Sequence, residues 1–142
     1  MDYFFQPGSV AVIGASAKPG KIGCEVLRSV LASGFRGKVY PINPKKGMID
    51  GLKVYPRIDE VPGDIDLALV AVHASLVPDV IEQCATKEVK GVIVISGGFR
   101  ELGDEGARLE RDLVKAAKKS RIRVIGPNCI GVLNGENGFN TL

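Results

Sequence analysis

The residues best able to do chemistry stand in one small-residue stretch, Gly14-Ala15-Ser16-Ala17-Lys18-Pro19-Gly20-Lys21-Ile22-Gly23. A turn of this kind that opens a helix aims several N–H groups and the positive helix end at one spot, which suits a phosphate. The spacing excludes a Walker A loop. Five residues separate Gly14 from Gly20 where that motif has four, and Ile22 follows Lys21 where it has Ser or Thr. Nor is it a clean G-x-G-x-x-G, because Ser16 occupies the second glycine position. The candidate binding residues here are Gly14, Ala15, Ser16, Ala17, Lys18, Gly20 and Lys21.

A second segment narrows the ligand. Domains that bind NAD end their second strand on Asp or Glu, which holds the ribose 2′-OH. Here that end reads Tyr40-Pro41-Ile42-Asn43-Pro44-Lys45-Lys46, with no acid and two lysines. A carboxylate would repel a phosphorylated ribose, whereas Lys45 and Lys46 would attract one. The candidates are therefore NADP, with its 2′-phosphate, and coenzyme A, with its 3′-phosphate. Neither a metal centre nor a catalytic residue is expected. The three cysteines, Cys24, Cys84 and Cys129, form no CxxC pair. Cys129 has no second histidine to activate it, because His73 is the only one. His73 reads as a loop histidine, Cys129 as a packed or ligand-lining thiol, and Glu101 as a cap for the helix after it.

The elements that must position these loops alternate strand and helix. Apolar runs at 9–13, 38–42, 66–72, 91–95 and 122–125 read as strands. Ile22, Val26, Leu27, Val30 and Leu31 mark one helix face, with Gly34 placed to end it. Ser75 is placed to cap a second helix with Val77, Val80, Ile81 and Cys84 inward, and Asp104 to cap a third with Leu109, Leu113, Val114 and Ala117 inward. Near-continuous apolar strands joined by helices imply a parallel sheet covered on both faces. The fold class is α/β: a Rossmann-like doubly wound parallel sheet of about five strands, expected in the order 3-2-1-4-5. Pro41 puts the second strand at an edge or strand end. Leu52-Lys53-Val54 offers a short extra strand. Residues 1–142 read as a single domain with an irregular tail over 126–142.

In such sheets ligands lie beyond the carboxyl ends of the strands. Five segments meet there, adding His73-Ala74-Ser75, Ser96-Gly97-Gly98-Phe99 and Gly126-Pro127-Asn128-Cys129 to the two already described. Glycine is in surplus, 18 of 142 residues, where ordinary usage is ~7%. Much of the surplus falls in or beside these segments, where small residues let a ligand approach the backbone. A formal charge of +3 is too weak a bias to imply nucleic acid. No apolar run approaches a membrane span, and the N-terminus has no signal-peptide pattern, so the expected setting is cytoplasmic with reduced thiols.

Taken together, these motifs resemble a known family. Val10–Ser16 with Pro19–Gly23, Val39–Pro44, Asp64–Ala68, Ile95–Phe99 and Ile125–Gly131 are similar, in order and spacing, to the N-terminal CoA-binding domain of ADP-forming acyl-CoA (acetyl-CoA) synthetases and of the succinyl-CoA synthetase alpha subunit. The Gly126-Pro127-Asn128-Cys129-Ile130-Gly131 motif is the most specific. The resemblance implies coenzyme A as ligand, with the pyrophosphate on Ser16–Lys21 and the ribose and 3′-phosphate by Asn43, Pro44 and Lys45 or Lys46. It places Val72, His73, Ser96, Gly97 and Gly98 along the adenine and pantetheine, and Asn128 and Cys129 near the thiol. Relatives pass a phosphoryl group through a histidine in a following domain, so these residues alone are expected to bind and not to turn over. Further ligase domains or subunits are the expected partners. An NADP-binding oxidoreductase module and a CoA- or nucleotide-responsive regulatory protein are the alternatives.

Overall fold

Every residue of three apolar runs, Ser9–Ile13, Leu67–Val70 and Gly91–Val94, is buried. Strands buried on both faces lie inside a sheet that is covered on both sides. In the computed structural model, which describes residues 1–142, the chain runs β1 (Ser9–Ile13), α1 (Ile22–Ala32), β2 (Lys38–Ile42), β3 (Gly47–Ile49), β4 (Leu52–Val54), β5 (Leu67–Val70), α2 (Val77–Thr86), β6 (Gly91–Val94), α3 (Asp104–Ser120), β7 (Arg123–Ile125), β8 (Leu133–Asn134) and β9 (Phe139–Asn140). Five of the strands form one parallel sheet in the order β2-β1-β5-β6-β7.

Counted over those five strands the order is 2-1-3-4-5, so the expected 3-2-1-4-5 is corrected. Pro41 supplies the reason. Its carbonyl accepts the Tyr55 N–H at 3.0 Å on the outer side of β2, so its missing N–H also faces outward. A full strand could not pair there. The chain makes only an isolated bridge at Ile42 and Tyr55, then returns to lay β5 against β1. The intervening segment forms the antiparallel β3–β4 pair, so the expected strand at 52–54 has a partner at 47–49.

Alternate residues along each central strand point to opposite faces. Ala11, Ile13, Ala68, Val70, Val92 and Val94 pack on one side under α2 and α3. Val10, Val12, Leu67, Leu69 and Ile93 pack on the other side with Val26, Leu27 and Val30 of α1. That second face has one helix only, and the tail completes it. Residues 126–142 are not wholly irregular: β8 and β9 pair antiparallel, and the fully buried Phe139 joins the α1-side core with its ring centroid 5.1 Å from that of Phe35.

Two caps differ from expectation. The helix after His73 starts at Val77, with Pro78 in its first turn, so Ser75 does not cap it. Asp104 lies inside the first turn of α3, and Gly103 at φ +90° is the capping position. No helix is long and apolar enough to cross a membrane.

Candidate functional site

The loop after β1 can form only because two glycines let helix and loop meet. Gly14 has φ +88°, and a Cβ there would stand 2.5 Å from the Ala71 carbonyl oxygen. A Cβ on Gly23, in the first turn of α1, would stand 1.9 Å from the Gly14 oxygen. A side chain at Gly14 would push the loop off the chain that follows β5, and one at Gly23 would push the helix off the loop. With both absent, the N-terminus of α1 sits directly over the carboxyl ends of β1 and β5.

There a cleft of about 520 Å³ opens, lined by residues that follow β1, β2, β5 and β6. Of the candidates, Gly14, Ser16, Gly20, Lys21, Asn43, Val72, His73, Ser96 and Gly97 line it. Ile22 and Gly23, the end of the first stretch, and Ala71 line it too, beyond the candidate binding residues. The periodicity puts Ile22 on the inward helix face, but it is 51% exposed at the mouth, and Leu31 and Val114, expected inward on their helices, are exposed as well. The lining includes one cation, Lys21, and no acid.

The backbone N–H groups sort into engaged and open. The Lys18 N–H donates to Ser16 Oγ at 3.0 Å, and the Gly20 N–H to the Glu25 carboxylate at 3.0 Å. The Lys21 N–H donates to the Lys18 carbonyl. Those of Ser16, Ala17, Ile22 and Gly23 have no acceptor in the chain. The helix dipole reinforces the last two. Four open donors thus flank the loop.

Asn43 ties the second strand end to the first loop. Its Nδ2 donates to the Ala15 carbonyl at 2.9 Å, and its Oδ1 accepts the Lys45 N–H at 2.8 Å. Ala15 is buried and supports the loop from below. Ala17, Lys18, Pro44, Lys45 and Lys46 are exposed around the rim and do not line the cleft. Lys46 lines a neighbouring hollow of about 280 Å³ with Lys53 and Tyr55, and the Lys53 ammonium lies 5.1 Å from the Tyr55 ring centroid.

The far wall is held from behind. Ser96 is buried, its Oγ donating to the Val70 carbonyl at 3.3 Å while its own carbonyl accepts the Asn128 N–H at 3.0 Å. Asn128 and Cys129 are outside the lining. Asn128 backs Gly97 closely enough that a Cβ there would meet its Oδ1 at 3.2 Å. The Cys129 thiol donates to the Val94 carbonyl at 3.3 Å, and burial pushes it above the usual thiol range. Glu101 does not cap α3. Its carboxylate accepts the N–H groups of Gly98, at 2.6 Å, and Phe99, at 3.1 Å, which hold it below the usual carboxylate range. Gly98, at φ +100°, is thereby fixed behind the wall. His73 Nδ1 lies 2.9 Å from Ser75 Oγ and accepts the Ser75 N–H at 3.3 Å. That geometry closes a short turn, and no acid orients the pair. The four open donors, the acid-free lining and the lysines on the rim fit a phosphorylated cofactor.

A family model described as CoA binding domain matches residues 8–135. The chain belongs to the CoA-binding domain family. Its relatives place the domain in larger proteins. It is 49% identical over 137 residues to an ADP-forming acetate–CoA ligase II of Archaeoglobus fulgidus, covering 96% of this chain and 20% of that protein. It is 44% identical over 140 residues to the alpha subunit of an ADP-forming acetate–CoA ligase II of Pyrococcus furiosus, covering 99% of this chain and 30% of the subunit. A solved acetyl-coenzyme A synthetase from Candidatus Korarchaeum cryptofilum, in complex with phosphate and ADP, superposes on this CoA-binding domain with a TM-score of 0.92 at 42% identity, over 99% of this chain and 30% of that one. The CoA-binding domain therefore spans between a fifth and a third of the length of the proteins it matches.

Proposed function

We propose that the cleft holds coenzyme A and that these residues are the CoA-binding part of an ADP-forming acid–thiol ligase. The observation that carries this reading is the set of open N–H groups on Ser16, Ala17, Ile22 and Gly23 beside a lining without any acid. They receive the pyrophosphate, with Lys18 and Lys21 adding charge. Asn43, Pro44 and the rim lysines Lys45 and Lys46 attend the ribose and its 3′-phosphate. Val72, His73, Ser96 and Gly97 line the path of the adenine and pantetheine, while Gly98, Asn128 and Cys129 act behind that wall. When bound, coenzyme A supplies the thiol that such a ligase acylates. Nothing in this chain pairs a nucleophile with an oriented base, so these residues bind and orient and leave the phosphoryl steps to other domains or subunits.

Calorimetric titration with coenzyme A, dephospho-coenzyme A and NADPH tests the reading. Coenzyme A should bind tightest, and loss of the 3′-phosphate should weaken binding by roughly two- to fivefold, the equivalent of one exposed charge contact. Equal affinity for the first two would remove the lysines from the site. Preference for NADPH would reverse the assignment.

A further inference from the structure

A hollow of about 650 Å³, larger than the cofactor cleft, lies against the outer face of α3. A second, of about 420 Å³, lies between α3 and the strand end of β7. The two share Val114 and Lys118 and form one groove. Arg111, Lys115, Lys118, Arg121 and Arg123 line it with no acidic partner within 4.0 Å, whereas Arg100 pairs with Glu110 and Lys119 with Glu82. Val114 is 42% exposed, and Leu113, Ala117, Ile122 and Val124 continue the apolar floor beneath it. β7 pairs with β6 alone, so its outer edge is open.

Helix polarity explains part of this charge, since cations favour the last turn of α3 and Asp104 and Glu105 the first. It does not explain Arg121 and Arg123, which lie beyond the helix, or the apolar floor. Cations along a sheet edge also block edge-to-edge pairing of like chains. A second copy would set five unpaired cations against five more. Nucleic acid is disfavoured because no aromatic side chain lines the groove for bases to stack on. What remains complementary is negative charge joined to apolar side chains.

We propose that the α3–β7 groove docks an acidic polypeptide segment that carries aliphatic side chains and adds along the edge of β7. Alternation along such a strand sets carboxylates toward Arg123 on one face of the sheet and aliphatic groups toward Val124 and Val114 on the α3 face, with the other cations around the groove adding long-range attraction. The site is independent of the cofactor cleft.

Fluorescence anisotropy with three short labelled peptides tests it: alternating Glu and Val, alternating Glu and Ser, and alternating Lys and Val. The Glu/Val peptide should bind roughly tenfold or more tighter than the other two and weaken as salt rises. It should slow hydrogen exchange at Arg123–Ile125. The triple variant Lys115→Glu, Lys118→Glu, Arg123→Glu should lose that binding while coenzyme A affinity stays unchanged, which also reports that the variant is folded. Val114→Ser, at a half-exposed position, should weaken the peptide by severalfold without altering the charge. Equal binding of the Glu/Ser peptide, tighter binding of a labelled single-stranded oligonucleotide, coenzyme A bound in this groove, or an unaffected triple variant would each overturn the proposal.

Discussion

Replacing Gly23 with alanine tests whether the contact between α1 and the first loop makes the cleft. The added Cβ would fall 1.9 Å from the Gly14 oxygen and 2.7 Å from its carbonyl carbon. Both are backbone atoms and cannot rotate away, so restoring ordinary contact takes a displacement of roughly an ångström or more. Overpacking of this kind costs about 1–3 kcal/mol. At about 3 °C per kcal/mol for a chain of this size, the melting temperature should fall by roughly 3–9 °C. The same displacement moves the open N–H groups of Ile22 and Gly23. Losing one hydrogen bond to a charged phosphate is worth about 1.5–3 kcal/mol, so coenzyme A should bind roughly ten- to a hundredfold more weakly. Gly34→Ala is the control. Gly34 has φ +80° with nothing within 4 Å of an added Cβ. It should lose about 1–2 kcal/mol through backbone strain alone and keep its affinity. Calorimetry and thermal melts on both variants give the answer. If Gly23→Ala binds coenzyme A as the parent does, the close approach of helix to loop does not shape the site.

Phe139→Ala should cost about 3–5 kcal/mol in urea unfolding, because the ring is fully buried in the α1-side core; a change below 1 kcal/mol would detach the tail from the fold. Asp66 ties the Gly8 N–H, at 2.7 Å, and the Lys90 ammonium to the start of β5. Burial works to raise its carboxyl, but Lys90 and the N–H groups of Gly8 and Ser9 outweigh it and hold it below the ordinary 3.8. Its contribution is thus present above that ordinary value and lost as pH falls through and below it. Asp66→Asn should lower stability at neutral pH by about 1–2 kcal/mol and flatten the acid limb of the pH–stability curve; a parallel curve would contradict this. The thiols should be inert in the native state: Cys24 and Cys84 are buried, Cys84 is pushed up to about 12, and Cys129 is raised. Titration with a disulfide reagent should give no fast-reacting thiol until the chain is unfolded, when three react. One equivalent of rapid reaction in the native state would place Cys129 in the open.

What the sequence made legible followed from burial. β1, β5 and β6 are covered on both faces, so their apolar runs stand out without a partner being known. The strand order is a tertiary choice that local periodicity does not encode, yet Pro41 held the clue: its missing outward N–H leaves no place for a strand outside β2. The β8–β9 pair escaped notice because each strand has two residues, though Gly135-Glu136-Asn137-Gly138 ahead of Phe139 carries turn chemistry. At the site, the loops after β1, β2, β5 and β6 that open onto the cleft are legible as strand ends, whereas Asn128 and Cys129, expected with them, lie outside the lining. Two carboxylates that turn inward are not legible in the same way: Glu25 takes the Gly20 N–H, and Glu101 takes those of Gly98 and Phe99. Sequence shows such acids as exposed charge, and only the folded chain shows them occupying donors that a ligand would otherwise use. The rim position of Lys45 and Lys46 is likewise a matter of how the turn after Asn43 is tied.

Where coenzyme A sits is the central question, and amide chemical-shift mapping answers it most directly. Titrated into the isotope-labelled chain, coenzyme A should move the resonances of Ser16, Ala17, Ile22 and Gly23 most, with those of Asn43, Val72 and Gly97 following. Shifts confined to Arg111–Arg123, or absent from the first loop at saturation, would contradict the account.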